Sequence, residues 1–571
     1  MGDEARIIFA WKRKNSGHGV RMWKWTWLLT LCVVCAEEMP DAKKMRLPHV
    51  KPASAEFELA EPKGISMAIS ANSPVAQEHV LRGLNLIHGG WDYRAYQHFL
   101  AALQIDPDCL MAHFGVIFSL LDGDQEYHQP RAVAVERALA LIKAGAGTKL
   151  ERGYLFGLIQ LLEGGPQAAA AAFAKVAESF PKDPQLRLLE IYFLRSGFDE
   201  EGKPLPDQEI AQEKLAELMK KSPDSPILIH AWLMIRAENR HLSSDLPLAR
   251  KLCELVPDYP PYYHVLGHYE WRSGNYHRAQ QALSRCVMLY RNWMDHCDVD
   301  RIDCPDWMRA EMYRAAAAAG CGDYESALAI AKALSMVKIP SNRFTSAGAR
   351  MLWWEASTLE MRIRMRRQEP DDLRMALASL PSKEFVRTLT PYTRVAFYYQ
   401  GLAMLLEARL ALADNEWERA KELTEAMSMH LPLMQQIRGD VTNMGELSHF
   451  IRAYSLLDVA SLQLKGDLAM ARDDQQKNVA YNWYSGANER QMYATRMMPP
   501  VSLLPTEILL GNYFEKKNDG ARAMEVYREG LVRWPNDVLL LEAIAALQTK
   551  NGDVKAAAET RATIKRATAE N

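Results

Sequence analysis

Three histidines carry the sharpest chemical signal in this chain. His264 and His268 lie four residues apart, so on one helix they share a face. His230 precedes His264 by 34 residues. Three converging imidazoles could hold a zinc ion with one coordination position open, the plan of a catalytic site. The same rings could hydrogen-bond a carboxylate, phosphate or sugar, or spend their nitrogens on each other and on backbone groups inside the fold. The pair H-E-x-x-H is absent, and so are a Walker loop, a nucleophile elbow and a dinucleotide fingerprint.

The interval of 34 matches a repeat written through the chain. Gly83 leads to Ala95, Phe99, Ala102 and Pro107; Gly157 leads to Ala169, Phe173, Val176 and Pro181; Gly511 leads to Ala523, Tyr527, Gly530 and Pro535. Small residues let two antiparallel helices approach, the aromatic fills the space between them, and the proline stops the second helix. Weaker copies start at Gly267, Ala315, Ala408, Val459 and Ala545. The Ala408 copy ends at Pro432, and Gly89-Gly90, Gly164-Gly165, Gly274, Gly322, Gly466 and Gly552 mark turns. This is the helix–turn–helix signature of the tetratricopeptide (TPR) repeat. It predicts an all-α, right-handed superhelical solenoid of about ten pairs, since one pair cannot bury its apolar face alone. The divisions are a TPR-like array over 66–339, an irregular helical segment over 340–390 and a second array over 391–571.

The TPR resemblance also orients the helices. In TPR proteins, positions 5, 9, 12 and 13 of the first helix line the concave surface. With Gly267 at position 8, His264, His268, Trp271 and Arg272 take those four places, and His230 takes position 5 one repeat earlier. The resemblance therefore implies one concave patch made of His230, His264, His268, Trp271 and Arg272, with zinc or another divalent metal on the three histidines as a variant.

The N-terminus reads as an export signal over 1–36. Lys24 precedes an apolar run from Trp25 to Ala36, with Met22 the better start and cleavage expected before Glu37. That places the mature chain in a periplasm or outside the cell, or on the membrane if the signal stays uncleaved, and leaves no membrane span in the mature chain. Residues 37–65 are rich in Pro, Lys, Glu and Ala and read as a disordered tether. A net charge of −2 argues against a nucleic-acid partner.

Cys297 and Cys304 lie seven apart, and in an oxidising compartment they could pair as a local disulfide. Around them Asp295, Asp298, Asp300, Asp303 and Asp306 could hold calcium or form a solvated loop, though the EF-hand order is missing. Trp353-Trp354 and the run Tyr481, Trp483, Tyr484, Tyr493 could stack on sugars or pack in the core.

The chain further resembles a group of poorly characterised, exported bacterial TPR proteins. The resemblance rests on Arg82-Gly83-Leu84 through Asp106-Pro107-Asp108-Cys109 to Gly115, on Ile229-His230-Ala231 with His264 to His268, and on Pro499-Pro500 through Leu510-Gly511. Where that group often carries another histidine pair one repeat later, this chain has Arg309 and Met312. The expectation is a non-catalytic scaffold binding a peptide, protein or glycan on its concave face. The alternatives are an enzyme with a metal or general acid–base site at the histidines, and an assembly module of a cell-envelope complex.

Overall fold

The computed structural model describes residues 40–53, 60–367, 369–471 and 474–568. The expected export signal lies outside the described residues. Helices account for nearly all the regular structure, and among the described residues the one strand-like pairing is a bridge between Phe198 and Pro204.

Seven antiparallel pairs form the first array: α1 (Pro74–His88) with α2 (Asp92–Ile105), α3 (Leu110–Ser119) with α4 (His128–Lys143), α5 (Lys149–Gly164) with α6 (Pro166–Ser179), α7 (Pro184–Leu194) with α8 (Pro206–Lys221), α9 (Pro226–Arg236) with α10 (Leu246–Leu255), α11 (Pro260–Arg272) with α12 (Tyr276–Cys297), and α13 (Pro305–Gly320) with α14 (Tyr324–Ser335). Four short helices follow: α15 (Ala347–Trp354), α16 (Leu359–Arg367), α17 (Pro370–Ser379) and α18 (Lys383–Leu389). The second array pairs α19 (Val395–Ala413) with α20 (Trp417–Arg438), α21 (Met444–Ala471) with α22 (Asp474–Arg490), α23 (Thr506–Lys516) with α24 (Gly520–Arg533), and α25 (Val538–Lys550) with α26 (Val554–Thr568).

The repeat spacing works as a steric lock. A Cβ on Gly83 would lie 2.6 Å from the ring of Phe99, one on Gly157 2.3 Å from Phe173, one on Gly267 2.5 Å from Leu283, and one on Gly511 2.1 Å from Tyr527. Each contact joins residues sixteen apart, so the same small-to-large pairing recurs in four helix pairs. Phe99 is gripped from its other side by Gly115 of the next pair, 2.2 Å from where a Cβ would stand.

The register is displaced in two places. Gly466 sits inside the 28-residue helix α21 instead of in a turn, and its missing side chain makes room for Tyr484, whose hydroxyl donates to Asp467 at 2.7 Å. Pro432 lies within α20, which continues to Arg438 rather than ending there.

The first array closes on itself. Trp91, in the turn after α1, packs its ring against Tyr259, Tyr290 and Trp293 at 5.7, 5.4 and 5.0 Å. The second array then folds back across α11: Trp534 meets Trp271 at 6.0 Å, and Asn536 donates to the Gly274 carbonyl at 3.3 Å. The described part of the expected tether is packed. Met45, Leu47 and Val50 are buried, and the Tyr96 hydroxyl donates to the Met45 carbonyl while accepting from the Leu47 amide. Apolar residues spaced two and three apart give that stretch enough to bury, which its Pro and Lys content conceals.

The lock generates a test. Gly115→Ala, which forces a methyl group into Phe99, should cost about 1–3 kcal/mol in urea unfolding. Adding Phe99→Leu should recover part of it. An unchanged midpoint for Gly115→Ala would contradict the packing described.

Candidate functional site

Residues 491–505, between α22 and α23, form no helix, yet they pass through the protein interior. A buried carbonyl without a donor is costly, so each must be met by a side chain. Arg272 donates to the Ala494 carbonyl at 3.4 Å, and the Tyr313 hydroxyl to the Met498 carbonyl at 3.0 Å. Arg452 donates to the Pro499 carbonyl at 2.8 Å, and Arg366 to the Leu503 carbonyl at 2.6 Å. The Arg496 amide donates to Glu238 at 3.0 Å. Two of the arginines are held by buried acids, Arg366 by Asp537 at 2.8 Å and Arg452 by Glu355 at 2.8 Å.

This segment bonds two of the five residues of the expected concave patch, His264 and Arg272. All five are buried. His264 donates from Nε2 to the Arg496 carbonyl at 3.1 Å, His268 from Nε2 to the Ala237 carbonyl at 3.2 Å, and His230 from Nδ1 to the His88 carbonyl at 2.8 Å. A carbonyl only accepts, so these bonds fix where each ring carries its proton. Burial, the largest cause, pushes the His264 pKa down to about 4 and that of His230 to about 3, and holds His268 well below the usual range. All three are neutral at pH 7.

The trio does not converge. Tyr313 stands beside both His264 and His268, at 5.7 and 5.6 Å between ring centres, whereas His230 packs on Tyr262. Among the described residues no group of three His, Cys, Asp or Glu side chains is placed to hold a metal ion, and each of the three rings bonds a different carbonyl. Trp271 packs among Tyr276, Tyr313 and Trp534, and Arg272 also donates to the Asn239 carbonyl at 2.9 Å.

His230 and His264 do share one cavity, with Asp306, Arg309 and Arg496. It encloses about 20 Å³, room for about one water, and reaches about 310 Å³ when its open mouth is counted. Asp306 and Arg309 pair at 2.8 Å. Asp92 is exposed to solvent but ringed by protein, with Asp306, Arg496, Asp122 and Arg309 as its charged neighbours. Arg309 occupies the place where the resembled group has histidine. Arg496 carried no signal in the sequence, because only the folded chain brings it to His264.

The other candidates resolve into structure. Cys297 and Cys304 are free thiols. Cys297 is half-buried beside Arg94, while Cys304 is buried with Cys286 and Tyr290 as neighbours, so the expected disulfide is not formed. The aspartates around them are shared out: Asp298 with Lys51, Asp303 with Arg343, Asp306 with Arg309. Trp353, Trp354 and Tyr484 are core residues, and Tyr481 stays exposed beside Tyr513 and Phe514. No described helix is long and apolar enough to cross a membrane.

No family model and no curated protein matches the chain. Among solved structures it is similar to the human IFIT1 dimer with PPP-AAAA, at 11% identity and a TM-score of 0.32, over 87% of this chain and 92% of that one. It is similar to yeast Tom70 at 12% identity and a TM-score of 0.26, over 85% and 90% of the two chains. The TPR domain of P58(IPK) gives 13% identity and a TM-score of 0.18, over 84% and 98%. Superpositions this loose carry no argument; the recurring small-to-large lock does. The chain is a TPR-like helical repeat protein.

Proposed function

We propose that this chain is an exported, non-catalytic scaffold that meets a protein partner through its outer surface. The carrying observation is that the inner face of the central repeats is already filled by residues 494–503, bonded to His264, Arg272, Tyr313, Arg452 and Arg366. A peptide laid along the concave face would have to displace that segment. The outer face of α20 offers an alternative surface. Glu418, Glu422 and Glu425 continue into Met429 and Leu433 at helical spacing, all exposed, Met429 by 76%. An acidic stripe running into exposed apolar side chains suits a basic, amphipathic partner segment. The neutral histidines, each bonded to a backbone carbonyl, support binding over catalysis, and the signal-like N-terminus supports an envelope or extracellular setting.

A photo-crosslinking amino acid at Met429 and, separately, at Glu422 should capture one and the same protein from an envelope extract. Leu433→Glu should abolish capture without changing the melting temperature. Capture from a probe at Tyr263 on α11 but not from Met429, or capture unaffected by Leu433→Glu, would overturn the reading.

A further inference from the structure

The acidic and apolar stripe of α20 has a counterpart on the last helix of the same chain. Along α20, Glu418, Glu422, Glu425 and Met429 are all exposed and step by four, three and four residues, which keeps them on one narrow helix face. Along α26, Val554, Ala558, Arg561 and Lys565 are all exposed and step by the same four, three and four. Val554 is 73% exposed, about as bare as Met429. The chemical order is reversed between the two: α20 runs from acidic to apolar, α26 from apolar to basic. Laid antiparallel, the stripes match along their whole length. Glu418 meets Lys565, Glu422 meets Arg561, Glu425 meets Ala558 and Met429 meets Val554. Leu433, also exposed, extends the apolar end. Within one chain these charges are hardly used. Among the described residues Glu418, Glu422 and Lys565 join no ion pair, Lys421 reaches Glu425 only at 4.0 Å, and Arg561 donates to the Thr549 hydroxyl at 2.8 Å. Helix α20 packs on α19 and α21, and α26 on α25 and α12, with both stripes left outward.

We propose that α20 of one copy docks antiparallel on α26 of a second copy of this chain, so that the protein self-associates through these two helices. This rests on α20 being a docking face and names the partner of that face. The apolar ends bury Met429 and Leu433 against Val554, and the charged ends set acid against base. Parallel docking would place Glu418 on Val554 and Lys565 on Met429, so the order of charges selects the antiparallel arrangement. Each copy carries both stripes, so the contact is made twice in a twofold pair or once at every junction of a head-to-tail chain. Its ion pairs are exposed at the rim, so salt weakens the contact.

Analytical ultracentrifugation of the purified chain tests this. The mass should rise with protein concentration above that of a single chain and fall back as salt is raised. Two charge-reversed variants then probe the contact itself. Glu418→Lys with Glu422→Arg makes α20 basic, and Arg561→Glu with Lys565→Glu makes α26 acidic. Each variant alone should sediment as a single chain, because its two stripes then carry the same sign. Mixed in equal amounts, the two should associate again, since every basic stripe finds an acidic one on the other variant. That recovery also shows that both variants are folded. A single-chain mass for wild type at every soluble concentration overturns the proposal. So does association that survives both charge reversals, or a mixture that stays as single chains while both variants melt at the wild-type temperature. A single-chain wild type whose Met429 probe still captures a different protein from an extract would overturn self-association and leave α20 standing as a docking face.

Discussion

The main-chain carbonyls of residues 494–503 have to find donors inside the protein, and the rest of the structure is arranged around that need. An irregular segment cannot satisfy its own backbone, and each buried carbonyl left bare would cost about 1–3 kcal/mol. The donors come from helices far apart in sequence: His264 and Arg272 on α11, Tyr313 on α13, Arg366 on α16 and Arg452 on α21. Those arginines in turn need acids, and Asp537 and Glu355 supply them. Arg452, and behind it Arg362, hold the Glu355 carboxyl below the usual range even though its burial works the other way. One unpaired segment thus ties the first array, the short central helices and the second array together.

His230, His264, His268 and Arg272, which the repeat register assigns to the concave face, are here bonded to the chain's own backbone. The inner space that remains is a small polar chamber walled by His230, His264, Asp306, Arg309 and Arg496. The histidines of that chamber are neutral because burial lowers their pKa.

Much of the fold was legible in the sequence because it is local. Gly83 and Phe99, or Gly511 and Tyr527, sit within one helix pair, and their spacing alone dictates the contact. Register failed where a local signal was ambiguous: Gly466 permits a close approach to Tyr484 and was equally readable as a turn. The site was only half legible. Repeat spacing placed His230 and His264 at equivalent positions, and the structure does bring them to one cavity. It could not show that residues 494–498 lie over them, because contacts such as Arg272 to Ala494 span 222 positions and leave no periodic trace. The expected Cys297–Cys304 disulfide rested on proximity in sequence, and the two thiols are free with different neighbours.

The central claim is that the chain fills its own inner face, and amide hydrogen exchange of residues 491–505 tests it most directly. The Arg496 amide, bonded to Glu238 at 3.0 Å, and the Met498 amide, bonded to the Thr495 carbonyl at 3.3 Å, should exchange as slowly as amides in the flanking helices. Tyr313→Phe, which removes a donor to the Met498 carbonyl, should speed both. Exchange of these two amides within seconds at neutral pH, at the rate of an unstructured peptide, would contradict the account.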